Sequence, residues 1–154
     1  MDMIQLHRLA ADERPIPDAP VSASSKIIVN ALVATVWQVA TGVQKWGSWY
    51  DYLKNAKLDG PFAAGSRLTY GGLIKHDLAI AKVKEHELVM IYGKLSVYSA
   101  ITRWDFSPVF PDQTSVTLSE TSEGFMLGTL YSNEKLGQHL TEWLERLKAE
   151  AERQ

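Results

Sequence analysis

The stretch 115–122 is where this sequence first offers chemistry. Ser115 to Ser122 reads as a β-strand, and if Val116 and Leu118 point to the interior, Glu120 points there too, with Ser122 beyond it. A carboxylate set among apolar side chains is harder to ionise than one in water. Burial therefore raises its pKa and equips it as a general acid or base. The competing assignment is a glutamate near a strand end that reaches water or a backbone amide.

Three further side chains could join it. Tyr70 shares a strand face with Leu68, and Tyr98 shares one with Trp104 and Phe106. A buried phenol needs a hydrogen-bond partner, so an inward tyrosine can polarise a ligand carbonyl or stabilise an enolate; otherwise it is a packed aromatic with its tip at the rim. His76 follows the Gly71-Gly72 turn. Histidine titrates near neutrality, as a proton shuttle at a cavity mouth requires, although a histidine in a hairpin is ordinarily just solvated. Glu120, Tyr70 and His76 are thus the candidate catalytic residues.

Other chemistries lack their residues. His76 and His86 stand ten positions apart across a turn, His7 lies in the N-terminal stretch, and the helical pattern puts His139 on a solvent face. No His-x-x-x-His or Glu-x-x-x-His pair is present, so no metal is expected. Gly71-Gly72 alone makes no phosphate loop, and no Gly-x-Ser-x-Gly elbow occurs. We expect no cofactor.

The elements that must position these residues follow from periodicity. Phe125 to Ala151 predicts one long amphipathic helix, with Met126, Leu130, Leu136, Leu140, Trp143, Leu144 and Leu147 on one side. Asn133 and Gly137 interrupt that apolar stripe. Glycine in a helix costs about 1 kcal/mol relative to alanine, so Gly137 implies either a close helix crossing or space for a ligand, and Asn133 could offer that ligand an amide. Upstream, Lys26 to Asn30 predicts a strand and Val33 to Ala40 a helix stopped by Gly42, followed by a second short helix through Trp46 and Trp49. From Tyr52 to Gly124 the period is two. Segments 67–70, 78–84, 88–92, 96–107 and 115–122 read as strands separated by Gly, Pro and Asp turns.

This segregated order, strand, two short helices, antiparallel strands and a long helix, belongs to the α+β class. A curved sheet covered by one helix encloses more volume than its side chains fill. An internal pocket is the expected consequence, and pockets of that kind hold small molecules. Ala79 and Ala81, if inward, would add room. Tyr98, Trp104, Leu118, Leu130, Asn133 and Gly137 are the candidate ligand-binding residues.

Composition narrows the partners. The chain has 154 residues, a formal charge of −2 and no cysteine. It is long enough for one self-sufficient core, offers no basic surface for nucleic acid, and excludes disulfides and thiolate chemistry. No run approaches the ~20 apolar residues of a membrane span. Residues 1–24, with Pro15, Pro17 and Pro20, read as a flexible or surface-draped extension without a signal-peptide core, and a cytoplasmic location is expected. Leu6 and Leu9 could dock on a neighbouring element or on a second copy in a homodimer.

Several motifs carry a family resemblance. Ile28 to Ala31, Val36-Trp37, Trp46-Gly47-Ser48-Trp49 and the run Leu58 to Leu68, with Asp59-Gly60-Pro61-Phe62, resemble the first half of the START-like, or SRPBCC, superfamily in its polyketide cyclase/dehydratase branch. Val83-Lys84-Glu85, Arg103 to Pro108, Thr114 to Thr117, Glu120, Gly124 and Trp143 to Lys148 resemble the second half. The resemblance covers residues 25–151 and makes 25–154 the domain. It implies a helix-grip fold, a curved seven-stranded antiparallel sheet wrapped around the long C-terminal helix, with Trp37, Trp46, Trp49 and Trp143 as packing residues and Trp104 on the cavity wall. It further implies a hydrophobic, aromatic or polyketide-like ligand, either transformed by a cofactor-independent cyclase or dehydratase or merely carried as a lipid-like cargo. Fold alone does not choose between them.

Overall fold

The β-branched and alternating segments build one antiparallel sheet of seven strands in the order β1-β7-β6-β5-β4-β3-β2. The computed structural model describes residues 1–72, 76–95 and 97–154. The strands are β1 (Val21–Val29), β2 (Lys57–Leu58), β3 (Arg67–Tyr70), β4 (His76–Lys84), β5 (Leu88–Leu95), β6 (Tyr98–Val109) and β7 (Gln113–Glu123). Between β1 and β2 run α2 (Val33–Thr41) and α3 (Trp46–Trp49), with single 3-10 turns after each. The chain is α+β, as its periodicity predicts. Ser96, the expected start of one strand, lies outside the described residues.

The long C-terminal helix comes in two pieces. A short α4 (Leu127–Leu130) ends at extended Tyr131, and Ser132 then caps α5 (Asn133–Arg153) by accepting from the Lys135 amide at 3.1 Å. The serine cap begins the helix eight residues later than the apolar stripe alone predicts, because Met126 takes a left-handed conformation and Tyr131 breaks the helical run. From there Leu136, Leu140, Trp143, Leu144 and Leu147 are buried against the inner face of the sheet. α5 packs chiefly along β1, so it grips the sheet near one edge.

The N-terminal stretch departs from expectation. It is draped over the sheet, but as an ordered helix, α1 (Met3–Ala11), with a capping box: the Gln5 amide donates to Asp2 Oδ1 at 2.8 Å, and the Asp2 amide to Gln5 Oε1 at 3.0 Å. Leu6, Ala10 and Ile16 are buried in a second hydrophobic cluster with Ala81, Leu88, Met90 and Ile101 on the outer face of the sheet. Glu13 then clamps Lys82 and Lys84 at 2.9 and 3.2 Å. Leu6 thus docks within its own chain. The prolines that suggested a loose arm lie after the helix, and β1 starts at Val21, inside the segment expected to be flexible.

A bulge between Ile80 and Lys82 decides which face of β4 carries which residue. Leu78 and Ile80 join the inner core, while Ala81 packs under α1. Ala81 therefore adds no room inside, contrary to the sequence-based expectation.

Candidate functional site

Register assembles the inner face in rows. β7, β6, β5 and β4 place Glu120, Thr102, Ile91 and Ile80 directly across from one another. One row further on stand Ser122, Ala100, Gly93 and Leu78. The row beyond carries Tyr98, Leu95, His76 and Tyr70. Strand alternation makes all three rows point the same way. The middle row has no side chain larger than a hydroxymethyl over three adjacent strands, so the polar groups to either side face each other over a trough.

Gly93 is fixed by more than that gap. Its φ is +153°, and a Cβ there would stand 2.5 Å from the Asp77 carbonyl oxygen and 2.8 Å from Leu78 Cα. Close approach of β4 therefore admits only glycine at this point.

Glu120 is 7% exposed and is the only charged residue among the described buried ones. Thr102 and Ser122 donate their hydroxyls to its two carboxyl oxygens, at 3.2 and 3.1 Å. Loss of water outweighs those two bonds, and its pKa is pushed up to about 7. Near neutrality the group is therefore divided between acid and carboxylate. The field of its carboxylate adds to burial in raising the pKa values of Tyr52, Tyr70, Tyr98 and Tyr131, with Tyr98 pushed up to about 12. These phenols stay protonated donors at any physiological pH.

Tyr70 and His76 meet directly. Their rings are 4.7 Å apart between centroids, and the Tyr52 hydroxyl lies 3.3 Å from His76 Nε2. Burial lowers the His76 pKa and keeps its ring neutral. Trp104 is buried, stacked on Phe106 and edge-on to Trp143 at 5.4 Å, while Leu118 is fully buried beside it in the core. The structure thus brings Glu120, Tyr70, His76, Tyr98, Trp104 and Leu118 onto one inner face.

Three sequence candidates lie elsewhere. Asn133 is exposed, and its side-chain oxygen accepts from the Ser22 amide at 2.9 Å, tying α5 to the edge strand β1. Gly137 faces Ala23, where an added Cβ would sit 3.8 Å from the alanine Cβ, an ordinary contact. Leu130 is 71% exposed. The break at Tyr131 rotates all three away from the stripe that continuous helical counting gives them.

Two contributors were missed by the sequence reading. His139 is partly buried rather than solvent-facing, with its ring 4.6 Å from Tyr52 and 5.8 Å from Trp143, and burial lowers its pKa. Tyr52, just after the second short helix, reaches both histidines. Its only sequence signal is aromatic spacing, with Trp49 three positions before it.

No family model matches this chain, and no curated relative matches it. Solved structures do resemble it. A START superfamily protein from Mycobacterium smegmatis superposes with a TM-score of 0.72 at 14% identity, over 86% of this chain and 97% of that one. A hypothetical protein from Helicobacter pylori gives 0.71 at 15%, over 88% and 91%. A protein from Nitrosospira multiformis gives 0.63 at 22%, over 84% and 94%. Seven antiparallel strands curled beneath one long C-terminal helix, superposable on a START protein along nearly its whole length, make this chain a START-like helix-grip fold.

Proposed function

We propose that the protein binds a hydrophobic, aromatic or polyketide-like small molecule between the sheet and α5, and that Glu120 exchanges a proton with it in a cofactor-independent cyclase- or dehydratase-type reaction. The observation that carries this reading is Glu120 itself, buried, held by two hydroxyls and poised near pH 7 beside a row of small residues. Keeping a carboxyl group in such a place costs stability, and general acid–base catalysis is a use that repays that cost. As a carboxylate it can remove a proton from carbon next to a carbonyl. As the resulting acid it can return that proton to a departing hydroxyl, which completes a dehydration. Tyr70 and His76 stand on the far side of the trough to orient the substrate. The likeness to a START superfamily protein supports the binding half of the proposal.

A second reading is favoured by the apolar lining. Leu118, Ile80, Ile91 and Leu140 are all buried around the same face, and that surface suits a carrier that sequesters a lipid-like compound unchanged. Native mass spectrometry of protein purified from its own host identifies a copurifying compound in either case. Glu120→Gln then separates the two. Turnover of that compound lost with affinity largely kept supports catalysis, whereas loss of binding without a specific rate effect places Glu120 in the scaffold.

A further inference from the structure

Among the described residues two buried side-chain nitrogens have no hydrogen-bond partner: Nδ1 of His76 and Nε1 of Trp143. Such orphans are uncommon, since leaving a buried donor unmade forfeits the bond it had with water. They come from different elements, β4 and α5, yet both rings lie against Tyr70, at 4.7 and 6.2 Å between centroids. Trp143 is 6% exposed. Both face the interior in which the ligand is placed above, and the inference below rests on that reading.

The indole nitrogen can only donate. The tautomer of His76 follows from its neighbour. Tyr52 keeps its proton, and its hydroxyl is placed to donate to His76 Nε2 at 3.3 Å. A neutral ring accepting at Nε2 carries its hydrogen on Nδ1. Both orphans are then N–H donors, and what is lacking is an acceptor. Its charge can be argued as well. Glu120 is the only charged group among the described buried residues, and no lysine or arginine is among them. An anion brought there would meet a carboxylate and no cation. A neutral oxygen meets no such penalty.

We propose that the His76 Nδ1–H and the Trp143 Nε1–H are met by carbonyl oxygens of the ligand, which makes that ligand an uncharged aromatic carbonyl compound, a ketone or a chain of ketones, rather than a fatty acid, a phosphate ester or a plain hydrocarbon. These two residues position the substrate; Glu120 remains free to act on carbon activated by the carbonyl.

The test uses two probes of nearly equal shape, 2-acetylnaphthalene and 2-isopropylnaphthalene, titrated into the full chain. The ketone should bind about tenfold more tightly, because a site built around hydrogen-bond donors discriminates against the isostere that leaves them unpaired. His76→Phe keeps an aromatic ring but removes the donor. It should erase most of the preference while leaving the hydrocarbon's affinity within about twofold. Trp143→Phe should act likewise, and should it fail to fold, the ¹⁵N-resolved indole signal of Trp143 in the unmutated protein must move on adding the ketone and stay with the hydrocarbon. Equal binding of the two probes, or a preference that survives His76→Phe, overturns the carbonyl assignment and leaves the binding reading intact. Binding of neither overturns the binding reading itself.

Discussion

Thr102 and Glu120 stand directly opposite each other on β6 and β7, and the threonine hydroxyl donates to Glu120 Oε2 across 3.2 Å. The pair is the point at which the fold and its proposed chemistry compete. A hydroxyl bond favours the carboxylate, yet burial favours the acid by more, so the folded protein holds a proton that the unfolded chain releases.

That imbalance gives a stability profile with a definite sign. The Glu120 pKa rises from 4.5 to about 7 on folding. Between those values the native state binds the extra proton, so stability falls as pH rises through the window and levels off above it, a loss of about 3 kcal/mol. His76 and His139 act in the opposite sense. Their folded pKa values lie below 6.5, so what they contribute is present above that pH and is lost on acidification. Glu120→Gln isolates the glutamate. In urea denaturation the variant should gain on the parent progressively from pH 4.5 to 7 and be the more stable of the two at pH 8; parallel profiles would mean that Glu120 is solvated.

Gly93 makes a sterically firmer prediction. With its φ at +153° and the Asp77 carbonyl 2.5 Å from any added Cβ, Gly93→Ala must displace backbone in β4. We expect a loss of roughly 3 kcal/mol or more, read as a lower urea midpoint with an unchanged slope. Ala100→Gly in the same row removes only a methyl and should cost about 1 kcal/mol.

The α1 helix is expected to behave as part of the cooperative fold. Leu6 is fully buried against Met90 and Ile101 in the outer cluster, so Leu6→Ala should cost about 2 to 3 kcal/mol. Thermal denaturation followed at a far-UV and an aromatic wavelength should move together. If the variant melts like the parent, α1 is an appendage.

How far the sequence could be read depended on how local each signal was. Strand alternation placed Glu120 inward from Val116 and Leu118 alone, because a strand has period two wherever it lies. It failed at Ala81, where one bulged residue reverses facing and nothing in the local pattern of β4 marks it. The aromatic side of the site was less legible still. His139 and Tyr52 come together from elements separated by most of the chain, and helical counting put His139 outside because it began the helix at Phe125 rather than at the Ser132 cap. Leu6 and Ala10 already had helical spacing over Asp2 and Gln5, a capping box that the neighbouring prolines obscured.

The same misplaced helix start decides what Gly137 and Asn133 do. Both were read as gaps left for a ligand, yet Gly137 sits where a Cβ would meet Ala23 at 3.8 Å, in ordinary van der Waals contact. Nothing there requires glycine. Gly137→Ala should therefore stabilise the protein by about 0.5 to 1 kcal/mol through helix propensity. Asn133→Ala removes the acceptor of the Ser22 amide and, at an exposed position, should cost about 0.5 to 1 kcal/mol. Neither change reaches the rows that carry Glu120, His76 and Tyr70, so the affinity for 2-acetylnaphthalene should stay within about twofold of the parent in both. A large loss of affinity in either variant would move the ligand from the trough over Gly93 to the seam between α5 and β1.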